Sequence, residues 1–171
     1  MRHKVIQKQP SSKMCLVCGL ENRIGLKASF YELSNNELVA IFTPAEEHQS
    51  YPGLMHGGIA SSILDETIGR VFIGRQEEAW AVTMELTVRY LRPVPLGQQL
   101  KVVGRIAEED DRFFKGTGEI ILPDGGIAVT GAGKYRKLSL DKIARDGVDF
   151  EALGWRVVTS TDDPEYIDLG E

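Results

Sequence analysis

The segment from Gly57 to about Ile73 constrains this chain most. Its apolar residues Ile59, Ile63, Leu64, Ile68, Val71 and Phe72 recur at helical spacing over a broad arc, so the helix they form must be covered on most of its surface. The flanking sequence supplies strands to cover it. Leu26–Thr43 reads as two strands about an Asn35-Asn36 turn, ended by Pro44. After the helix, Trp80–Tyr90 alternates, with Trp80, Val82, Met84, Leu86, Val88 and Tyr90 on one face and Thr83, Glu85, Thr87 and Arg89 on the other. That predicts a strand with its even positions on the core. Gln98–Glu108, Arg112–Leu122 and Ile127–Leu138 follow, joined by the hairpin-type connections Glu109-Asp110-Asp111 and Pro123-Asp124-Gly125-Gly126. An α+β architecture, a curved antiparallel sheet wrapped around one long central helix, satisfies this order with the fewest assumptions. Gly116, Gly118, Gly131 and Gly133 recur at every second position of the last strands, which marks curvature or the close approach of another element.

Three regions are expected. Residues 1–25 form an N-terminal arm carrying Cys15-x-x-Cys18, its first fourteen residues polar and loose. Residues 26–138 form the wrapped domain. Residues 139–171 form a C-terminal extension with a short peripheral helix and a mobile tail. Of the 171 residues, 20 are Lys or Arg and 25 are Asp or Glu. Five of the acids (Asp162, Asp163, Glu165, Asp168 and Glu171) lie in 157–171, where there is no base, so the body of the chain is balanced. A nucleic-acid partner needs a concentrated cationic surface and is therefore not expected. Two closely spaced cysteines cannot make a disulfide framework and suit a reducing compartment. No apolar run approaches the roughly 18–20 residues of a membrane span, and no apolar stretch follows the basic Met1–Lys4. The expectation is a cytoplasmic protein with no membrane partner.

The chemistry-bearing stretch is His56-Gly57-Gly58-Ile59-Ala60-Ser61-Ser62-Ile63-Leu64-Asp65-Glu66. A glycine pair at a helix start lets the first unpaired N–H groups be approached closely, and with the positive helix end behind them they suit a developing oxyanion. Asp65 has Ser61 at i−4, Ser62 at i−3 and Gly69 at i+4, which leaves a groove beside the carboxylate. Such a carboxylate on an otherwise apolar helix is a candidate general base or nucleophile. Gly57 and Asp65 are eight residues apart, about 12 Å along the axis. One carbonyl group cannot lie within about 3 Å of both. If both act, a second copy of the helix completes each site, which predicts a shared site in an obligate homodimer.

The same residues admit plainer roles. Ser62-x-x-Asp65 is also a capping-box pattern, which would start the helix at Ser62. Glu66 suits pairing with Arg70 at i+4, and His56 suits a helix cap. His56, Ser61 or Ser62, and Asp65 supply the residue types of a serine hydrolase, but the nucleophile-elbow pattern is absent. Cys15 and Cys18 are half a zinc site without a second Cys or His pair, so no metal is expected.

The run Tyr51-Pro-Gly-Leu-Met-His-Gly-Gly-Ile-Ala-Ser-Ser-Ile-Leu-Asp-Glu66 resembles the helix motif of hotdog-fold acyl-coenzyme A thioesterases of the phenylacetate-degradation type. Ala81–Gly97 is similar to that family's following strand and its exit, and Cys15–Leu26 to the Cys-containing arm of one branch. The resemblance covers about residues 15–138 and implies the hotdog fold, a homodimer or a homotetramer that is a dimer of dimers, and hydrolysis of acyl-coenzyme A without a cofactor. It assigns Asp65 as the catalytic carboxylate, the backbone of Gly57, helped by Gly58, as the oxyanion donor, and Thr83 as the hydroxyl that holds water or orients the carboxylate. His56, Gln49 and Ser50 become candidate substrate contacts; several relatives carry Asn where this chain has Ser50. A thiolate leaves readily, so a carboxylate and oxyanion donors suffice, with Asp65 either activating water or attacking the carbonyl. The phosphates of coenzyme A need cations. Arg89, Arg92, Lys101 and Arg105 lie in an acid-free stretch and Lys134, Arg136 and Lys137 form a second group, with Arg92, at the strand end, the first choice and Arg89 the next. The alternative is a non-catalytic acyl-coenzyme A binding or sensing module on the same fold; a dehydratase fits the motif less well.

Overall fold

A computed structural model describes residues 1–73 and 79–170. The elements are β1 (Arg2–Lys8), β2 (Ser29–Leu33), β3 (Leu38–Phe42), α1 (Gly57–Arg70), β4 (Ala79–Tyr90), β5 (Leu100–Glu109), β6 (Phe113–Ile121), β7 (Ile127–Ser139), α2 (Leu140–Arg145), α3 (Phe150–Leu153) and β8 (Tyr166–Asp168). The strands form one antiparallel sheet in the order β4-β7-β6-β5-β3-β2-β1-β8, and α1 packs against β3 through β7. This is the wrapped α+β architecture that the order of segments implied. Among the described residues no helix is long and apolar enough to cross a membrane.

α1 holds the core together. Ile63, Leu64 and Ile68 are wholly buried, each such side chain contributing roughly 1.5–3 kcal/mol relative to exposure. The strand glycines let the helix sit down on the sheet: a Cβ at Gly118 would lie 3.0 Å from Ile68, and one at Gly116 would overlap the same side chain. The helix starts at Gly57 with His56 as its cap, so the capping-box start at Ser62 does not occur; Ser62 instead bonds back to the Gly58 carbonyl at 2.8 Å.

Four expectations need correction. First, β4 does not keep one face on the core throughout. A bulge between Thr83 and Glu85 inserts Met84 into the pairing with β7, and an extra residue in a period-two element exchanges its faces. Before the bulge Ala81 and Thr83 face the helix; after it Leu86 and Val88 do, and Val82 and Met84 are turned outward, 44% and 55% exposed. Second, residues 2–8 are not loose: β1 pairs with β2 and with β8. β1 lies one place in from the sheet's edge, between β2 and the three-residue β8, and its residues stay half-buried or exposed, so the polar composition concealed it. Third, the acidic tail is docked through residue 170. Ile167 and Leu169 are buried, and Asp163 receives hydrogen bonds from Lys8 at 2.6 Å and Tyr31 at 2.8 Å. Two of its acids, Asp163 and Asp168, serve as anchors. The fifth, Glu171, lies outside the described residues. Fourth, the single peripheral helix expected after residue 139 is two short ones, α2 and α3.

Candidate functional site

Asp65 lies half-buried on the side of α1 that faces β4 and β7. Its Oδ1 accepts two hydrogen bonds, from Thr83 Oγ1 at 2.8 Å and from the Tyr135 hydroxyl at 3.1 Å. Thr83 and Tyr135 are register partners across β4 and β7, so their side chains rise on the same face and converge on one oxygen. The bulge at Met84 makes this possible, since without it Thr83 would share its face with Glu85. Tyr135 reaches Asp65 by lying over Gly133, where a Cβ would come 2.6 Å from the ring. Burial, then the Asp65 charge, then the hydrogen bond to it push the Tyr135 hydroxyl far above its usual range, so it stays a donor. With Oδ1 doubly engaged, Oδ2 is the oxygen left for an incoming group.

The other end of α1 is built differently. His56 caps it, its Nδ1 accepting the Gly58 N–H at 2.9 Å. The Gly58 amide is thereby occupied, whereas the Gly57 N–H has no acceptor among the described residues. The Gly57 carbonyl accepts from Tyr90 at 2.8 Å and from Ser61 at 3.1 Å. A side chain at Gly57 would press on the Tyr90 ring at 3.3 Å. Neither Ser61 nor Ser62 is near a histidine ring in a hydrogen bond: both bond to carbonyls one turn back, which leaves no Ser–His pair for a hydrolase triad. Gln49 and Ser50 lie exposed in the loop paired with residues 54–56, where Gln49 Oε1 holds the Gly53 amide at 3.1 Å. Buried His48 pins that loop, bonding the Ala45 amide through Nδ1 and the Ile24 carbonyl through Nε2.

Sequence reading missed Tyr135 and Tyr90. A tyrosine in a strand is an ordinary sheet residue, and what gives Tyr135 a role is its register with Thr83, which depends on the bulge. The cations fare less simply than the sequence suggested. The stretch holding Arg89, Arg92, Lys101 and Arg105 has no acid of its own, but other segments bring acids to it. Arg92 pairs with Asp124 at 2.7 Å, Arg105 with Glu37 and Glu119, and Lys101 bonds the Asp168 carbonyl. Arg89, on the sheet's outer face, has no ion-pair partner among the described residues. Of the second group, Lys137 pairs with Glu109 and Lys134 lies over the Phe113 ring.

A cavity of about 220 Å³ opens beside Asp65 between α1, the first part of β4, the arm and the 153–155 segment. Thr83, Tyr135, Glu66, Arg70 and Trp155 line it together with Cys15 and Cys18. The i+4 pair is present, Arg70 to Glu66 at 2.8 Å, with the guanidinium buried between the rings of Phe30 and Trp155. Cys15 and Cys18 share a hydrogen bond that raises the Cys15 thiol, with burial and the Glu66 charge adding to it. As its acceptor, Cys18 is lowered to about 7, Arg70 and Ser12 assisting against burial and Glu66.

A family model described as the thioesterase superfamily matches residues 52–129, the span that holds α1, Asp65, Gly57 and Thr83. The chain is similar to mouse acyl-coenzyme A thioesterase THEM4, 31% identical over 91 residues that make up 53% of this chain and 38% of that protein. The chain thus spans well under two thirds of the curated relative's length. A crystal structure of a thioesterase superfamily protein superposes with a TM-score of 0.66 at 28% identity, over 71% of this chain and 59% of that one. The Escherichia coli PaaI protein, from the phenylacetic acid degradation operon, superposes at 0.61 with 18% identity, over 67% of this chain and 81% of that one. The wrapped sheet is therefore the hotdog fold of this superfamily. Tyr135 and the cysteines lie outside the matched residues.

Proposed function

We propose that the chain hydrolyses acyl-coenzyme A thioesters to free acid and coenzyme A, with Asp65 as the reacting carboxylate. The observation that carries this reading is the Asp65 carboxylate, half-open to a cavity, whose Oδ1 is held by Thr83 and Tyr135 while Oδ2 faces no donor among the described residues. Two donors fix the plane of the carboxylate, so Oδ2 can take a proton from water or attack the thioester carbon without first reorganising. The departing thiolate needs no strong acid, so the developing oxyanion is the remaining requirement. The Gly57 N–H, at the positive end of α1, is the donor suited to it. Gly58 is withdrawn from that role by its bond to His56, and His56 acts as a cap.

Gly57 and Asp65 remain about 12 Å apart along the helix, beyond what one carbonyl can bridge. The reading therefore includes a homodimer in which Gly57 of one chain faces Asp65 of the other. The cavity supports it: 220 Å³ in one chain is below the roughly 300–1,000 Å³ usual for a ligand site. A second copy of α1 would add walls, and small residues beside Asp65, exposed Gly58 and half-buried Ser61 and Ser62, allow its approach.

Thiol release from a panel of short, long, aromatic and hydroxylated acyl-coenzyme A substrates tests this. Asp65→Asn is expected to lower kcat by about 10²–10⁴-fold with the fold intact by circular dichroism. Thr83→Ala is expected to lose less, since Tyr135 still holds Oδ1. Full activity in folded Asp65→Asn sinks the mechanism, and binding without turnover across the panel would leave the sensing module in its place.

A further inference from the structure

The arm and the helix bring three ligand-type atoms together beside the Asp65 cavity. The Sγ atoms of Cys15 and Cys18 and a carboxylate oxygen of Glu66 all lie within 4.8 Å of one another. Cys18 is buried and the other two are partly buried. The two cysteines alone are half a site; the third donor comes from α1, about fifty residues later, and only folding delivers it.

We propose that Cys15, Cys18 and Glu66 bind one borderline-soft divalent cation of the zinc class, clamping the N-terminal arm to α1 one residue from Asp65. The cysteine loop has the form that metal-bound thiolates need. Cys15 Sγ accepts the Val17 and Cys18 amides at 3.2 and 3.5 Å, and Cys18 Sγ lies 3.4 Å from both the amide and the hydroxyl of Ser12. Such N–H donors offset the negative charge that sulfur carries as a ligand. Gly19 lets the chain double back, because a Cβ there would press on the Cys15 backbone, and its amide bonds the Cys15 carbonyl at 2.9 Å.

Glu66 is oriented as a ligand should be. Arg70 takes Oε1 through both Nε and Nη2, at 2.9 and 2.8 Å, and leaves Oε2 toward Cys15 Sγ at 3.1 Å. The cation takes the place of the thiol protons, which leave to solvent. Two thiolates, the carboxylate, the Arg70 guanidinium and the dication then sum to zero charge, the condition for a set this buried. Two sulfurs and one oxygen leave a fourth tetrahedral position for water, on the cavity side. Thiolate ligands favour zinc over the oxygen-seeking Mg²⁺ and Ca²⁺.

This inference does not rest on the thioesterase reading, and its test reads the metal rather than turnover. The full chain is reduced, stripped with chelator, checked for two titratable thiols, and titrated with Co²⁺. One equivalent per chain is expected, with a thiolate-to-cobalt charge-transfer band in the near ultraviolet that Zn²⁺ abolishes and Mg²⁺ does not. Cys18→Ser is expected to lose the band and weaken Zn²⁺ binding at least about 100-fold. Because Glu66→Gln leaves Arg70 without its partner and could unfold the helix, Cys15→Ser, which keeps that ion pair, is the second variant and should behave as Cys18→Ser does. Reduced, folded protein that binds no Co²⁺ at one equivalent overturns the proposal, as does a band that survives either cysteine substitution.

Discussion

At one edge of the sheet β8 has three residues, Asp163 just before it is held by Lys8 and Tyr31, and Asp168 accepts from the terminal amino group of Met1 at 3.3 Å. At the other edge β4 has twelve residues, pairs on one side only, and turns Val82 and Met84 to solvent. Short charged edges resist the addition of another strand, whereas long apolar ones invite it. The difference matters because the open edge carries Thr83 and borders Asp65, while no candidate site residue lies on β8. A two-fold axis beside β4 would set that strand against its own copy and bring the two α1 helices side by side, as the shared site requires.

The largest effect should follow from closing the open edge. Val82→Lys with Met84→Lys places like charges opposite one another in a dimer paired through β4. Each chain should elute as a monomer in light-scattering chromatography, and thiol release should fall by about 100-fold or more, since an incomplete site loses the oxyanion donor. A monodisperse monomer with undiminished activity would break the link between edge and site. Next in size is Tyr135→Phe, which keeps the ring stacked on Phe114 and removes only one of the two bonds to Oδ1. It should cost about tenfold in kcat with KM nearly unchanged, and about 0.5–1.5 kcal/mol of stability. Loss of activity as large as that of Asp65→Asn would mean that Tyr135 does more than orient.

How far the sequence could be read differs between the same two edges. α1, the strand pair β2–β3 and the run β4–β7 were legible because their apolar periodicity is long. The Asp65–Thr83 contact was legible only through the family resemblance, because strand parity had put Thr83 on the face away from the core. Thr83 faces the helix because Met84 is a bulge, and a bulge leaves no mark in an otherwise regular alternation. Tyr135 followed from that register and was invisible for the same cause. β1 and β8 were missed because their stability is long-range. Val5 pairs with Leu33, and Ile167 with His3, so neither strand holds enough apolar residues to declare itself. The paired cations were misread for a similar reason, since acids distant in sequence answer them.

At the closed edge the expected effects on activity are small and those on stability larger. Ile167→Ala empties a buried position and should cost about 2–5 kcal/mol, while thiol release at a temperature where the variant is folded stays near wild type. Comparable loss of activity would make β8 part of the site and dissolve the contrast between the edges.

The finest test is the pH range over which this edge stays docked. Burial raises the Asp163 carboxyl, but Lys8, the Ser160 amide and Tyr31 together outweigh it and hold the carboxyl below its ordinary range. Burial and the bond to Asp163 push Tyr31 up to about 12. A depressed carboxyl contributes stability above its unfolded value of about 4, and the contribution fades as pH falls through the folded value. A raised phenol contributes below its unfolded value of about 10, and the contribution fades as pH rises toward the folded one. Docking, followed by the methyl resonance of Ile167, should therefore be constant between those limits and weaken on both sides. Asp163→Asn should flatten the acid limb at a cost of about 1 kcal/mol or less, and Tyr31→Phe the alkaline limb. An acid limb unchanged in Asp163→Asn would show that other carboxylates hold the edge, with the Met1–Asp168 pair the first to examine.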